Sequence, residues 1–276
     1  MADQLRKLQL VELDILKHTL AIFEKHHLTY YMLGGTLLGA VRHQGFIPWD
    51  DDIDIGMPRP DYDRFLAVAG NELLPPYQLH TLQDGIAEYS YYYARVENRA
   101  VKLRRKVALK EVVIPAWIDV FPLDGVPNDR KARENWIKKC RFRKALYRAS
   151  QHSYFGMSND IKKKRPLTQT LARQVFIRFK LENLISSKLA WHLLDRALRE
   201  NDYASCDSLS NLCGYWGVKE IFPKSYYGEG KLYSFEDIML NGPENYDAVL
   251  TQMYGDYMTP PPEDKREHHY IEFITE

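Results

Sequence analysis

Cysteine is scarce in this chain. Only Cys140, Cys206 and Cys213 occur. They show no C-x-x-C spacing and no neighbouring histidine, which argues against a zinc site and for buried, reduced thiols. An excess of one charge is also missing: 38 basic side chains face 37 acidic ones, a net charge of +1. Nothing global therefore argues for nucleic-acid binding. No apolar run approaches the length of a membrane span. The first residues, Met1 to Arg6, are polar and lack the basic-then-apolar pattern of a secretion signal, so a cytoplasmic location is expected. Internal repeats and low-complexity tracts are absent. What is present is 276 residues, 45% hydrophobic, with 19 tyrosines. That is enough for a large core in one catalytic domain with a smaller appendage, or in two small domains.

The stretch from Tyr31 to Gly56 carries the densest information. An apolar run breaks at Gly34-Gly35, a helix-like segment covers Thr36 to Arg42, and His43-Gln44-Gly45 signals a turn before Pro48-Trp49. Asp50-Asp51-Asp52-Ile53-Asp54-Ile55 follows. In a strand, alternation would put Asp52 and Asp54 on one face. Two such carboxylates repel unless a cation sits between them, and a hard divalent ion prefers oxygen ligands. A solvated turn leading into an edge strand is the plain alternative. A calcium loop of the EF-hand kind fits poorly, because Ile55 stands where glycine is required and Asp61 where glutamate is. A transfer site gains from Gly34-Gly35, which lets backbone approach a phosphate. Further on, Val112 to Gly125 is a β-branched, aromatic run with Asp119 in its middle. It is either a carboxylate on an edge strand or a third metal ligand, since burying it unpaired is costly.

Elsewhere the reading is structural. Residues 3–27 predict an amphipathic packing helix with Leu8, Val11, Ile15, Leu16, Thr19, Ile22 and Phe23 on one face. Asp61 is placed to cap a helix carrying Tyr62, Phe65 and Leu66. The aromatic run before Asn98 predicts a strand with Tyr91, Tyr93 and Arg95 on one face, and an arginine fork suits phosphate oxygens. Asp129 to Ser150 and roughly Leu167 to Glu200 predict helices. The second carries Arg173, Arg178, Lys180 and Lys188 among apolar residues, and peripheral contact with an anionic membrane competes there with ordinary packing. Pro243 is expected near the start of a last helix that Gly255 ends. Pro260-Pro261-Pro262 then forces an extended tail bearing Lys265, Arg266 and His268.

The order Gly-Gly, Asp-x-Asp, lone Asp resembles the nucleotidyltransferase superfamily. The wording LGGTLLGAVRHQGFIPWDDDIDI, then IDVFPLDGVP, then YGDYMTPPPEDKREHH looks like the LicD family of bacterial phosphocholine transferases, related to fukutin and fukutin-related protein. The resemblance implies an α/β fold: a nucleotidyltransferase-like mixed sheet flanked by helices. It would comprise a catalytic core over 1–128, a helical insertion or subdomain over 129–205, and a C-terminal part over 206–276 completing the site. It implies phosphocholine transfer from a CDP-choline donor to a lipid-linked glycan acceptor of teichoic-acid or lipopolysaccharide type, with CMP released. Asp52, Asp54 and Asp119 would hold one or two Mg2+ (or Mn2+) ions. Gly34, Gly35 and Thr36 would cradle a phosphate, and Arg95, Lys265, Arg266 and His268 would contact the donor. Arg42 either reaches the donor or pairs with the acidic run. Trp49, Tyr91, Tyr93, Trp117 and Trp216 are open candidates for the quaternary ammonium. An NTP-using nucleotidyltransferase, or a transferase of another CDP-linked alditol, would share the metal site. A glycosyltransferase with an Asp-x-Asp motif would not need Asp119, and a glycan-binding scaffold would not need the carboxylates.

Overall fold

The structure, a computed structural model, describes residues 2–81, 91–107, 110–150, 184–263, 266 and 271–274. It is a mixed α/β fold, as expected. Helix α1 (Ala2–Lys25) buries Leu8, Ile15, Leu16, Thr19, Ile22 and Phe23 on one face. Each large apolar side chain there contributes roughly 1.5–3 kcal/mol by leaving water. The chain leaves α1 through His27, whose φ is 49°, and the Leu28 amide closes back on the Phe23 carbonyl at 2.8 Å.

The sheet is built round β5 (Lys110–Val126). Every residue from Ala116 to Val126 is buried, so this strand is covered on both faces and shows no polar alternation. Strand β2 (Asp54–Pro58) runs parallel to it and β4 (Ala94–Val107) antiparallel. Strand β1 (Tyr31–Met32) pairs with β2, while β3 (Tyr77–His80) and β10 (Ile271–Phe273) pair with β4. Beyond β2 and β4, the end of β5 pairs with β6 (Ser208–Ser210), which pairs with β7 (Ile221–Pro223). Pro115 lies where the β4–β5 register shifts, a position that tolerates a residue without an N–H. A separate hairpin, β8 (Lys231–Phe235) with β9 (Ile238–Gly242), was not anticipated.

Four expectations need correction. The strand begins only at Asp54, so Asp52 sits in an extended lead-in rather than on the strand face. Helix α3 (Arg59–Glu72) already contains Asp61 in its first turn; Pro58 occupies the cap position and Pro60 tolerates that turn because it lacks the amide. Within the expected Leu167–Glu200 helix, α5 (Ser187–Leu198) begins only after Ser186, whose hydroxyl caps it by accepting from Leu189 N. Residues 151–183, including Arg173, Arg178 and Lys180, lie outside the described residues. The last helix, α6 (Tyr246–Tyr254), is capped by the Asn245 side chain rather than begun by Pro243, and Gly255 ends it with a φ of 74°.

Helix α4 (Arg130–Ser150) starts as expected, with the Asp129 carboxylate accepting from Ala132 N at 2.7 Å. It packs on α5 around Trp136, Cys140, Leu194 and Ala197, and the Trp136 indole donates to the Ala197 carbonyl. The three cysteines are buried and free, and burial pushes Cys140 and Cys213 up to about 12, which keeps both as inert thiols. Among the described residues, no helix is long and apolar enough to cross a membrane.

Candidate active site

The parallel register places Asp54 directly beside Asp119. Three backbone-level contacts hold this pair. Ile53 O accepts from Asp119 N at 2.9 Å, Asp54 O accepts from Leu33 N at 3.0 Å, and the Thr36 hydroxyl accepts from Asp54 N at 2.8 Å. The hydroxyl belongs to α2 (Gly34–His43), which starts at the paired glycines. Gly34 has a φ of 48°, and a Cβ there would lie 3.3 Å from an Asp54 carboxylate oxygen. A Cβ on Gly35 would fall 2.3 Å from Asp50 Oδ2. The glycines that were expected to cradle a phosphate thus also make room for two carboxylates, and buried Thr36 sets the start of β2.

Like charge accumulates here. Asp54 is desolvated and lies near Asp52, Asp119 and Asp50, which together push its carboxyl well above the ordinary range. Asp119 is buried and paired: Arg95 Nε donates to its Oδ1 at 2.6 Å, and the Tyr93 hydroxyl lies 3.4 Å from its Oδ2. The Arg95 guanidinium carbon sits 3.9 Å from the Tyr91 ring centre and 4.5 Å from that of Trp117. Arg95, expected at a donor phosphate, is therefore held on Asp119. A cavity of about 120 Å³ opens among Asp51, Asp52, Tyr91, Tyr93, Arg95, Trp117 and Asp119. A larger groove of about 410 Å³ lies away from this site, beside α1, where ion pairs Arg6–Glu236 and Lys17–Asp237 are already closed.

The carboxylates fit a divalent cation by chemistry, being hard oxygen donors whose repulsion a cation relieves. They are gathered rather than closed: among the described residues, no three His, Cys, Asp or Glu side chains are spaced to hold an ion. The Arg95 pairing of Asp119 is one reason, because it already engages that carboxylate.

A second group forms around Trp49. Arg42 lies 5.9 Å and Arg266 4.3 Å from its ring centre. Arg42 donates to Tyr257 O at 2.7 Å and to His43 Nε2 at 3.0 Å, and it makes no ion pair with the acidic run among the described residues. Lys265 and His268 lie outside the described residues.

Sequence reasoning named Trp216 but missed three residues around the site, Tyr254, Glu220 and Glu12. Tyr254 on α6 places its hydroxyl beside Gly34, and desolvation together with Asp54 and Asp50 pushes that phenol up. Trp216 meets Tyr254 edge-on at 5.7 Å and is 37% exposed, which puts an aromatic face at the rim. Below it, buried Glu220 accepts from Trp216 N at 3.0 Å. Burial pushes the Glu220 carboxyl up to about 7 from 4.5. The folded state then holds this proton more tightly than the unfolded chain does, so stability from this group is present at low pH and falls as pH rises from about 4.5 to about 7. Glu220→Gln is expected to flatten that fall in denaturant titrations; equal slopes in both proteins would contradict it. The third is Glu12, inside the buried stripe of α1. Its neighbours Leu8, Ile15 and Leu16 are apolar, and a charge inside such a stripe was the available signal.

Comparison with known proteins now decides the family. A profile described as "LicD/FKTN/FKRP, nucleotidyltransferase domain" matches residues 27–155, which include Gly34, Gly35, Asp54 and Asp119. Lipopolysaccharide cholinephosphotransferase LicD of Haemophilus influenzae is 32% identical over 270 residues, covering 97% of this chain and 96% of that protein. The chain belongs to the LicD family. Ribitol 5-phosphate transferase FKRP of Homo sapiens shares 36% identity over 56 residues, 20% of this chain and 11% of that protein. The LicD match spans the acidic lead-in, the Trp49 cluster and the Trp216 rim alike, so the whole site lies within the shared length.

Proposed function

We propose that this LicD-family chain transfers phosphocholine from CDP-choline to a hydroxyl of a cell-surface glycan precursor of lipopolysaccharide or teichoic-acid type, releasing CMP. The observation that carries the reading is the near full-length likeness to a lipopolysaccharide cholinephosphotransferase. The Asp54–Asp119 register supports it chemically. A Mg2+ or Mn2+ ion held by Asp52, Asp54 and Asp119 would neutralise the donor diphosphate and the developing charge on the leaving oxygen. Thr36 fixes the start of β2 and so the position of Asp54. Arg95 fixes the orientation of Asp119. Asp50, whose carboxylate lies over Gly35, or one of the other carboxylates accepts the proton of the attacking hydroxyl. Arg42 and Arg266, gathered on Trp49, offer positive charge to the donor phosphates.

Choline recognition is narrowed by occupancy. Tyr91 and Trp117 already face the Arg95 guanidinium, and Trp49 faces Arg266. Tyr93 packs on Phe121 at 4.0 Å. Trp216 is the most open of these aromatics, exposed at the rim, and the Lys219 Nζ that lies 5.1 Å from its ring belongs to an exposed, flexible side chain that a choline head would displace. Trp216→Ala is expected to raise KM for CDP-choline roughly three- to thirty-fold, the worth of a cation–π contact, while kcat stays nearly constant. A fall in kcat at unchanged KM would remove the assignment.

The reading is tested by following CMP release from CDP-choline with glycan acceptor present, with and without Mg2+. Metal-dependent, acceptor-dependent CMP release is the expected result. Release from another CDP-linked alditol but not from CDP-choline would overturn the choline assignment. The description of the matching profile as a nucleotidyltransferase domain keeps an NTP-using reaction as the second reading, and pyrophosphate would be its product.

A further inference from the structure

Among the three polar residues that helix α1 buries, Gln9, Glu12 and Thr19, the first two lie one turn apart. The Gln9 amide donates to Asp50 O at 2.9 Å and to Ile47 O at 3.4 Å, so this face of the helix lies directly on the acidic loop. Glu12 is 0% exposed, and neither of its carboxyl oxygens has a hydrogen-bond partner among the described residues. Burial first, and then the nearby charges of Asp52, Asp51, Asp50 and Asp119, push its carboxyl well above the ordinary range.

An unpartnered buried carboxyl is a costly thing to keep. A leucine or methionine would fill the same place among Leu8, Ile15 and Leu16. Protonation alone does not account for it, because a neutral carboxylic acid is a hydrogen-bond donor and no acceptor among the described residues takes its proton. A partner beyond the described residues that suits it is a positive one, since Asp50, Asp51, Asp52 and Asp119 lie near it.

We propose that Glu12 is a further carboxylate of the cation site, carried by the α1 face that lies on the acidic loop, and that it binds the divalent ion directly or through one of its waters as the ion draws together carboxylates that, among the described residues, are not yet spaced to hold it. The inference rests on the metal-dependent reading above. It gives α1 a role besides packing: Gln9 fixes the loop and Glu12 adds a carboxylate that a bound ion would hold in its ionised form.

The test reads metal binding, not turnover. Mn2+ is titrated into metal-free protein and free Mn2+ is followed by electron paramagnetic resonance. Glu12→Gln keeps the shape and removes the charge; it is expected to remain folded and to weaken Mn2+ binding roughly 10- to 100-fold. Glu12→Asp, which keeps the charge, is expected to bind more tightly than Glu12→Gln. Thr19→Val, a change on the same buried face whose hydroxyl bonds only to Ile15 O, is expected to bind like the parent. Equal Mn2+ affinity in parent and Glu12→Gln, or tighter binding by Glu12→Gln than by Glu12→Asp, would overturn the role of Glu12 and leave the cation reading standing. Failure of the parent itself to bind Mn2+ would overturn both.

Discussion

Asp54→Asn is expected to abolish transfer without lowering thermal stability. The carboxyl is desolvated and sits among Asp50, Asp52 and Asp119, and its proton affinity is raised because burial first, and then these neighbours, disfavour its ionised form. A raised carboxyl holds its proton more tightly in the folded state. Its contribution to stability is therefore greatest at low pH and falls as pH rises past its unfolded value of 3.8. An amide of the same shape removes that repulsion and can still lie against Gly34. Melting temperature should hold or rise. Turnover should drop about a thousandfold or more, on the order of 4 kcal/mol at the barrier, because the ion loses a ligand. Calorimetry and initial rates on the same preparation check both halves. A variant that melts earlier and turns over normally would mean that Asp54 is structural.

Arg59→Ala should do the opposite, damaging the fold and sparing the chemistry. Arg59 opens α3, and its guanidinium makes a two-point contact with Asp124 on β5, Nε to Oδ1 at 2.6 Å and Nη2 to Oδ2 at 2.9 Å. Asp124 is 2% exposed. A further Nη1 contact at 3.9 Å reaches Asp195 on α5, so one side chain ties α3, the central strand and the α4–α5 pair together. Truncation leaves Asp124 buried and unpaired, which costs about 3–5 kcal/mol. At roughly 2–4 °C per kcal/mol for a chain of this size, the melting temperature should fall by about 10 °C. The rate per folded molecule, measured well below the transition, should stay near that of the parent. A drop of only a degree or two would show that Asp124 finds another partner.

The two variants mark what was legible in the sequence. Asp54, Asp119 and the paired glycines could be read because each is a local signal: carboxylates in β-branched runs, glycine where backbone turns. The packing stripe of α1 and the helix beginning at Asp129 were legible for the same reason. Arg59–Asp124 and Arg95–Asp119 were not, because such partners are set by which strand lies beside which, and Arg95 read as a phosphate ligand while it stands opposite Asp119 in the β4–β5 register. Asp52 was read onto the strand because alternation cannot show where pairing starts. Pairing starts at Asp54, where the ladder with β5 and the Thr36 hydroxyl take hold. Glu12 was not singled out, although a charge between Leu8 and Ile15 on the apolar face of α1 is itself a local signal.

The most direct test of the account is mass analysis of a lipopolysaccharide-type glycan after incubation with the protein, CDP-choline and Mg2+. The account predicts glycan carrying added phosphocholine, in equal amount to the CMP formed, and none when Asp54→Asn replaces the parent. Glycan left unmodified while an NTP is turned over to pyrophosphate, or modification that persists in Asp54→Asn, would contradict it.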